Sequence, residues 1–153
     1  MTITPEDSAL AKQMIGSILI QRKVINSLQL DEALDMQKKE GGFLGEALVR
    51  LGYVDEKEVV AALVVQCSLP YIAINKYEID PELLKLIPES MAREYLVIPL
   101  DRVGDVLSVV MVNPLSSSLK QDLEKTTGCR IATFIATKTE IQEAINRWYV
   151  KRK

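Results

Sequence analysis

The chain of 153 residues contains no histidine, and only two cysteines, Cys67 and Cys129. Lacking histidine, it lacks the commonest zinc ligand and the commonest general base. The two thiols are far apart in sequence and form no Cys-x-x-Cys pair, so they read as reduced, buried, inert side chains of a cytosolic protein. Aromatic residues make up 5% of the chain. Neither a Gly-x-x-x-x-Gly-Lys-Ser/Thr nor a Gly-x-Gly-x-x-Gly run occurs, which removes the two commonest phosphate cradles. The start, Met1 to Asp7, has no charged-then-apolar signal pattern, and no apolar run reaches the ~18 residues a membrane helix needs. Charge is balanced: 19 Lys plus Arg against 21 Asp plus Glu, a net of −2. A nucleic-acid partner would call for a clustered basic excess. The one basic run is Lys151-Arg152-Lys153, read as a helix end or the start of a linker. Acidic residues such as Glu56, Glu58 and Asp80 fit helix caps better than a catalytic dyad, and no enzymatic activity is expected.

What the chain does have is a helical unit written twice. Ile15-Gly16, Val24-Ile25, Leu30, Ala33-Leu34 and Gln37 recur as Leu44-Gly45, Tyr53-Val54, Val59, Ala62-Leu63 and Gln66. The step is a constant 29 residues, and a fixed internal period outranks local propensity as a guide to architecture. Gly16 and Gly45 stand inside helices, where glycine costs about 1 kcal/mol relative to alanine. Their recurrence calls for a close approach, either between helices or to a ligand.

Periodicity and punctuation then divide the chain. Helices are expected over about 6–21, from an Asn26 or Ser27 cap to Lys39 with Leu30, Ala33, Leu34 and Gln37 inward, over 43–51, and over 56–67 behind an Asp55/Glu58 capping box. The pattern changes at Leu69-Pro70. A short strand is expected at Tyr71–Ile74, then an Asp80-Pro81 helix start, a short helix from Pro88-Glu89, and strands at 96–100 and 106–112 around a turn at 101–105. A helix over 116–126, a strand over 130–136 and a final helix over 138–150 complete the series. The fold class expected is α+β: a helical lobe of tandem repeats, 1–68, packed on a small α/β lobe, 69–153, with a three- to four-stranded sheet.

The run Leu44-Gly45-x-x-Leu48-Val49-x-x-Gly52-Tyr53-Val54, with Val59, Leu63, Gln66 and Leu69-Pro70-Tyr71, resembles the N-terminal domain of type II secretion and type IV pilus assembly ATPases. Asp80-Pro81, Ile87-Pro88, Ile98-Pro99-Leu100, Asn113-Pro114 and the closing helix extend the resemblance to about residues 13–149. It implies a non-catalytic, cytoplasmic regulatory or docking module. The implied partner is an inner-membrane secretion or pilus platform protein, with a hexameric ATPase core either fused or separate. No cofactor, no nucleic acid and no direct membrane insertion are implied.

The alternative implied by the MshE-type members is a cyclic di-GMP receptor built on two tandem motifs. Those motifs open Arg-Leu-Gly, so the ligand-facing positions would be Met14, Ile15, Gly16, Phe43, Leu44 and Gly45, with Asn113 where the family has an Asp-Pro turn. Met14 and Phe43 replace two guanidinium forks. Methionine and phenylalanine pack against a base but donate no hydrogen bond. Arg22 and Arg50 are the nearby cations that could substitute.

Overall fold

Asn26 and Asp55 open two helices in the same way, one repeat apart. The computed structural model describes residues 15–41, 44–114 and 117–150, and these divide into two compact units, 15–68 and 69–150. The first holds α1 (15–21), α2 (Ser27–Glu40), α3 (Leu44–Arg50) and α4 (Glu56–Cys67). Asn26 accepts from the Gln29 N–H at 2.8 Å while the Gln29 side chain accepts from the Asn26 N–H at 2.9 Å. Asp55 and Glu58 repeat that box at 2.8 and 3.0 Å. Two of the four orphan donors at each helix start are thereby satisfied. Gly41, at φ +74°, ends α2 and donates its N–H to the Gln37 carbonyl. Leu19, Ile25, Ala33, Leu48, Ala62 and Leu63 are among the buried side chains of this unit.

The second unit runs through a 3-10 turn (Ile74–Lys76), α5 (Pro81–Leu84), α6 (Glu89–Tyr95), β1 (Val97–Val103), β2 (Val106–Met111), α7 (Ser117–Thr127), β3 (Arg130–Ile135) and α8 (Lys138–Val150). The sheet order is β1-β2-β3. β1 and β2 pair antiparallel across the tight Gly104-Asp105 turn, whereas β2 and β3 are parallel. A parallel pair needs a crossover, and α7 supplies it. As the central strand, β2 buries Leu107, Val109, Val110 and Met111 almost completely, which is why it reads as an apolar run rather than an alternation. Ile141, Ala144 and Ile145 of α8 are buried in the same core. The Tyr149 hydroxyl donates to the buried Ile87 carbonyl at 2.7 Å.

Several expectations need correction. Tyr71–Ile74 is not a strand. Ile72 donates to Ile135 and Ile135 donates to Pro70, giving a single bridge at Tyr71, and then the chain tightens into the 3-10 turn. The described sheet therefore has three strands. The 101–105 turn shrinks to two residues because β1 runs on to Val103. Of the proposed inward face of α2, only Ala33 is fully buried; Leu30, Leu34 and Gln37 are half-buried. On α8, Tyr149 is buried while Trp148 is half-buried, with Arg147 stacked over its ring at 5.0 Å. The first-turn signal of α8, Thr137-x-x-Glu140, is a third capping box, made by bonds of 3.0 and 3.1 Å.

Candidate functional site

Each helical repeat is a short helix, a glycine-type turn and a second, capped helix. The turn after α1 is closed by Lys23 donating to Ile20 and Val24 donating to Leu19. The turn after α3 is closed by Gly52 donating to Val49 and Tyr53 donating to Leu48. This is the paired bonding that satisfies helix-end carbonyls when the next residue is left-handed. Lys23 has φ +60° and Gly52 has φ +79°. The second copy thus places glycine where the conformation favours it, and the first copy holds a lysine in the same strained region.

The repeated glycines are also explained by the fold. A β-carbon on Gly16 would lie 2.9 Å from Leu30 Cδ2, and one on Gly45 would lie 2.6 Å from Val59 Cγ1. Leu30 and Val59 are themselves repeat equivalents, 14 residues beyond each glycine. Each glycine therefore admits the apolar residue from the second helix of its own unit. The sequence contained both members of each pair, but nothing in periodicity linked them.

Of the expected ligand-facing residues, Ile15, Gly16, Leu44 and Gly45 belong to the helical unit and are buried there. Met14 and Phe43 lie outside the described residues. Asn113 belongs to the α/β unit, half-buried just past the end of β2. Arg50 is engaged by Glu40 at 3.3 Å and Glu46 at 3.4 Å. Arg22 is exposed.

Side chains bind the units internally in ways the repeat pattern did not reveal. The Tyr53 hydroxyl donates to Glu32 at 2.6 Å, and this bond pushes the phenol above its ordinary range. Tyr71 donates to Glu140 at 2.6 Å, and for the same reason its phenol is pushed up to about 12. Asp105 grips the Arg130 guanidinium with both oxygens at 3.1 Å, and that pairing lowers the carboxyl and raises the guanidinium. Cys129 is buried as expected but Cys67 is only half-buried, and partial desolvation raises its thiol above the ordinary range. No group of three or more His, Cys, Asp or Glu side chains suited to a metal occurs among the described residues. None of their helices is long and apolar enough to cross a membrane.

Residues 67–153 match the model of the MshEN domain, which takes in the whole α/β unit. This chain belongs to the MshEN domain family. The likeness to individual proteins also takes in the helical repeats. The type IV pilus assembly ATPase PilB of Myxococcus xanthus is 33% identical over 138 residues, 90% of this chain and 24% of PilB. The chain thus spans about a quarter of that relative. The structure of MshE with cdg (cyclic di-GMP) superposes at a TM-score of 0.73 with 28% identity, covering 88% of this chain and 98% of that one. The N-terminal domain of XpsE superposes at 0.75 with 18% identity, covering 90% and 95%, a likeness of fold. The chain thus shares its MshEN fold with the N-terminal domain of XpsE and matches about a quarter of a type IV pilus assembly ATPase.

Proposed function

We propose that this MshEN domain is a regulatory and docking module that couples a secretion or pilus motor to an inner-membrane platform protein on the cytoplasmic side. The observation that carries this reading is the pair of contacts Gly16–Leu30 and Gly45–Val59. The glycine that recurs in both copies serves internal packing, so the duplication builds a scaffold. The donors a nucleotide would need at the motif openings are replaced by Met14 and Phe43. Such a module works by burying an interface and passing on domain motion. Surface plasmon resonance of the immobilised chain against the soluble domain of its organism's platform protein tests the reading. Saturable binding supports it, and absence of binding at high micromolar concentration defeats it.

The second reading, a cyclic di-GMP receptor, is favoured by the likeness to MshE, a protein solved with that ligand. Two lost charge-assisted bonds, at about 1.5–3 kcal/mol each, would weaken affinity by roughly two to four decades. Calorimetry with cyclic di-GMP separates the readings, because micromolar or tighter binding would favour the receptor.

A further inference from the structure

The α/β unit carries a groove of about 590 Å³ between α5 and the outer half of β1. Its apolar lining comes from Leu83 and Leu86 on one side and Leu100 on the other, all half-buried. Leu100 reaches this position through a bulge. The register of β1 against β2 shifts between Pro99 and Asp101, and an extra residue there re-aims a side chain. Glu78, Asp80 and Asp101 add carboxylates to the lining. The two lining cations are both engaged, Lys85 by Glu82 at 3.1 Å and Arg102 by the Gly104 carbonyl at 3.0 Å. With four carboxylates, Glu78, Asp80, Glu82 and Asp101, against these two cations, the groove is acidic over an apolar floor.

The strand beside it is an edge. β1 is the first strand of the order β1-β2-β3, and among the described residues no strand pairs with its other side. Its last three residues are exposed, Val103 at 73%. The edge is blunted against a further strand, since Pro99 has no N–H, the bulge breaks the register and the Arg102 N–H donates to Asp101 Oδ1 at 2.8 Å, so recognition in the groove falls to its side chains.

We propose that this groove seats an extended segment of a partner chain that alternates lysine or arginine with aliphatic residues, held by its side chains between α5 and β1. The aliphatic residues would meet Leu83, Leu86 and Leu100, and the cations would face Glu78, Asp80 and Asp101. This inference rests on the docking role proposed above and gives that role a place on the molecule.

The test is fluorescence anisotropy of the 153-residue chain with a labelled eight-residue peptide alternating Lys with Val and Leu, beside the same peptide with Glu for Lys. Saturable binding of the basic peptide alone is expected. Glu78→Lys with Asp101→Lys should weaken it on the order of tenfold or more, while Asp31→Lys with Asp35→Lys, an equal charge change on exposed α2 positions, should leave it unchanged. No binding, or equal weakening by both pairs, overturns the groove. Tighter peptide binding after removal of Lys151–Lys153 would assign the groove to the chain's own tail and overturn the partner segment. Circular dichroism of each variant establishes that it is folded. If the groove variants still hold the platform protein with unchanged affinity, the groove fails and the docking role stands.

Discussion

Gly45 faces Val59 so closely that a β-carbon on the glycine would sit 2.6 Å from the valine Cγ1. Val59 is β-branched and stiff at χ1, so it yields less readily than the Leu30 side chain opposite Gly16. Gly45→Ala should therefore lower stability, because overpacking of about 1–3 kcal/mol outweighs the ~1 kcal/mol gained in helix propensity. Adding Val59→Ala should remove the clash and give positive coupling in the double-mutant cycle. Urea unfolding midpoints read both effects; a rise in midpoint for Gly45→Ala alone would show that the contact gives way. Gly16→Ala should cost less.

Lys23 occupies the left-handed position that Gly52 fills in the second repeat. Lys23→Gly should raise stability by about 1 kcal/mol, since the strain of a left-handed L-residue is about 1–2 kcal/mol and glycine returns part of it as unfolded-state entropy. Gly52→Lys should lower stability by a similar amount. Unfolding of the two variants beside the parent is the measurement, and equal shifts in one direction would contradict the equivalence of the turns.

Tyr149 anchors the end of α8 by donating to the buried Ile87 carbonyl. Tyr149→Phe keeps the ring and removes the donor, leaving that acceptor without this bond at a cost of about 1–3 kcal/mol. The effect should appear in chemical unfolding, and amide exchange in α8 should quicken. Unchanged exchange would mean that packing alone holds the helix end.

Tyr71 gives a pH dependence with a definite sign. Its hydrogen bond to Glu140 raises the folded-state phenol from an ordinary 10.0 to about 12, because only the neutral hydroxyl donates. The contribution to stability is fully present below pH 10 and is lost as pH rises through about 12. In a phenolate absorbance titration, Tyr71→Phe should delete a late-titrating phenol. It should also flatten the alkaline fall in stability. Tyr53 is raised as well, so the readout is the number of late-titrating phenols; if it does not fall by one, the assignment to Tyr71 is wrong.

Met14→Arg combined with Phe43→Arg should raise affinity for cyclic di-GMP by roughly two to four decades, as the fork-shaped donors return. Calorimetry on the parent and the double variant compares them directly. An unchanged isotherm would remove the two opening positions from any account of nucleotide binding.

Local signals carried much of the fold. The Asn26 or Ser27 cap and the Asp55/Glu58 box announced their helices, because a cap needs only nearby residues; the structure chose Asn26 and added Gln29 as its partner. Asp80-Pro81 did the same for α5. Tyr71–Ile74 misled, because β-branched and aromatic residues have strand propensity wherever they stand, while a strand also needs a partner of sufficient length. Among the described residues only Ile135 pairs with this segment. The family pattern proposed Met14–Gly16, Phe43–Gly45 and Asn113 as ligand-facing, but it carried nothing about the packing around them. Tyr71–Glu140 and Asp105–Arg130 join residues distant in the chain, and the groove beside β1 depends on a bulge at which Pro99 is the one local hint.

The repeat of 29 residues, the caps, the missing histidine and the replacement of two expected arginines by Met14 and Phe43 were determined by the sequence alone, since each depends on residue type and short spacing. Which residue each glycine admits, why Lys23 and Gly52 are equivalent, and which edge of the sheet stays open were decided only by the tertiary structure. Those properties arise from contacts and backbone angles that exist once distant segments are brought together.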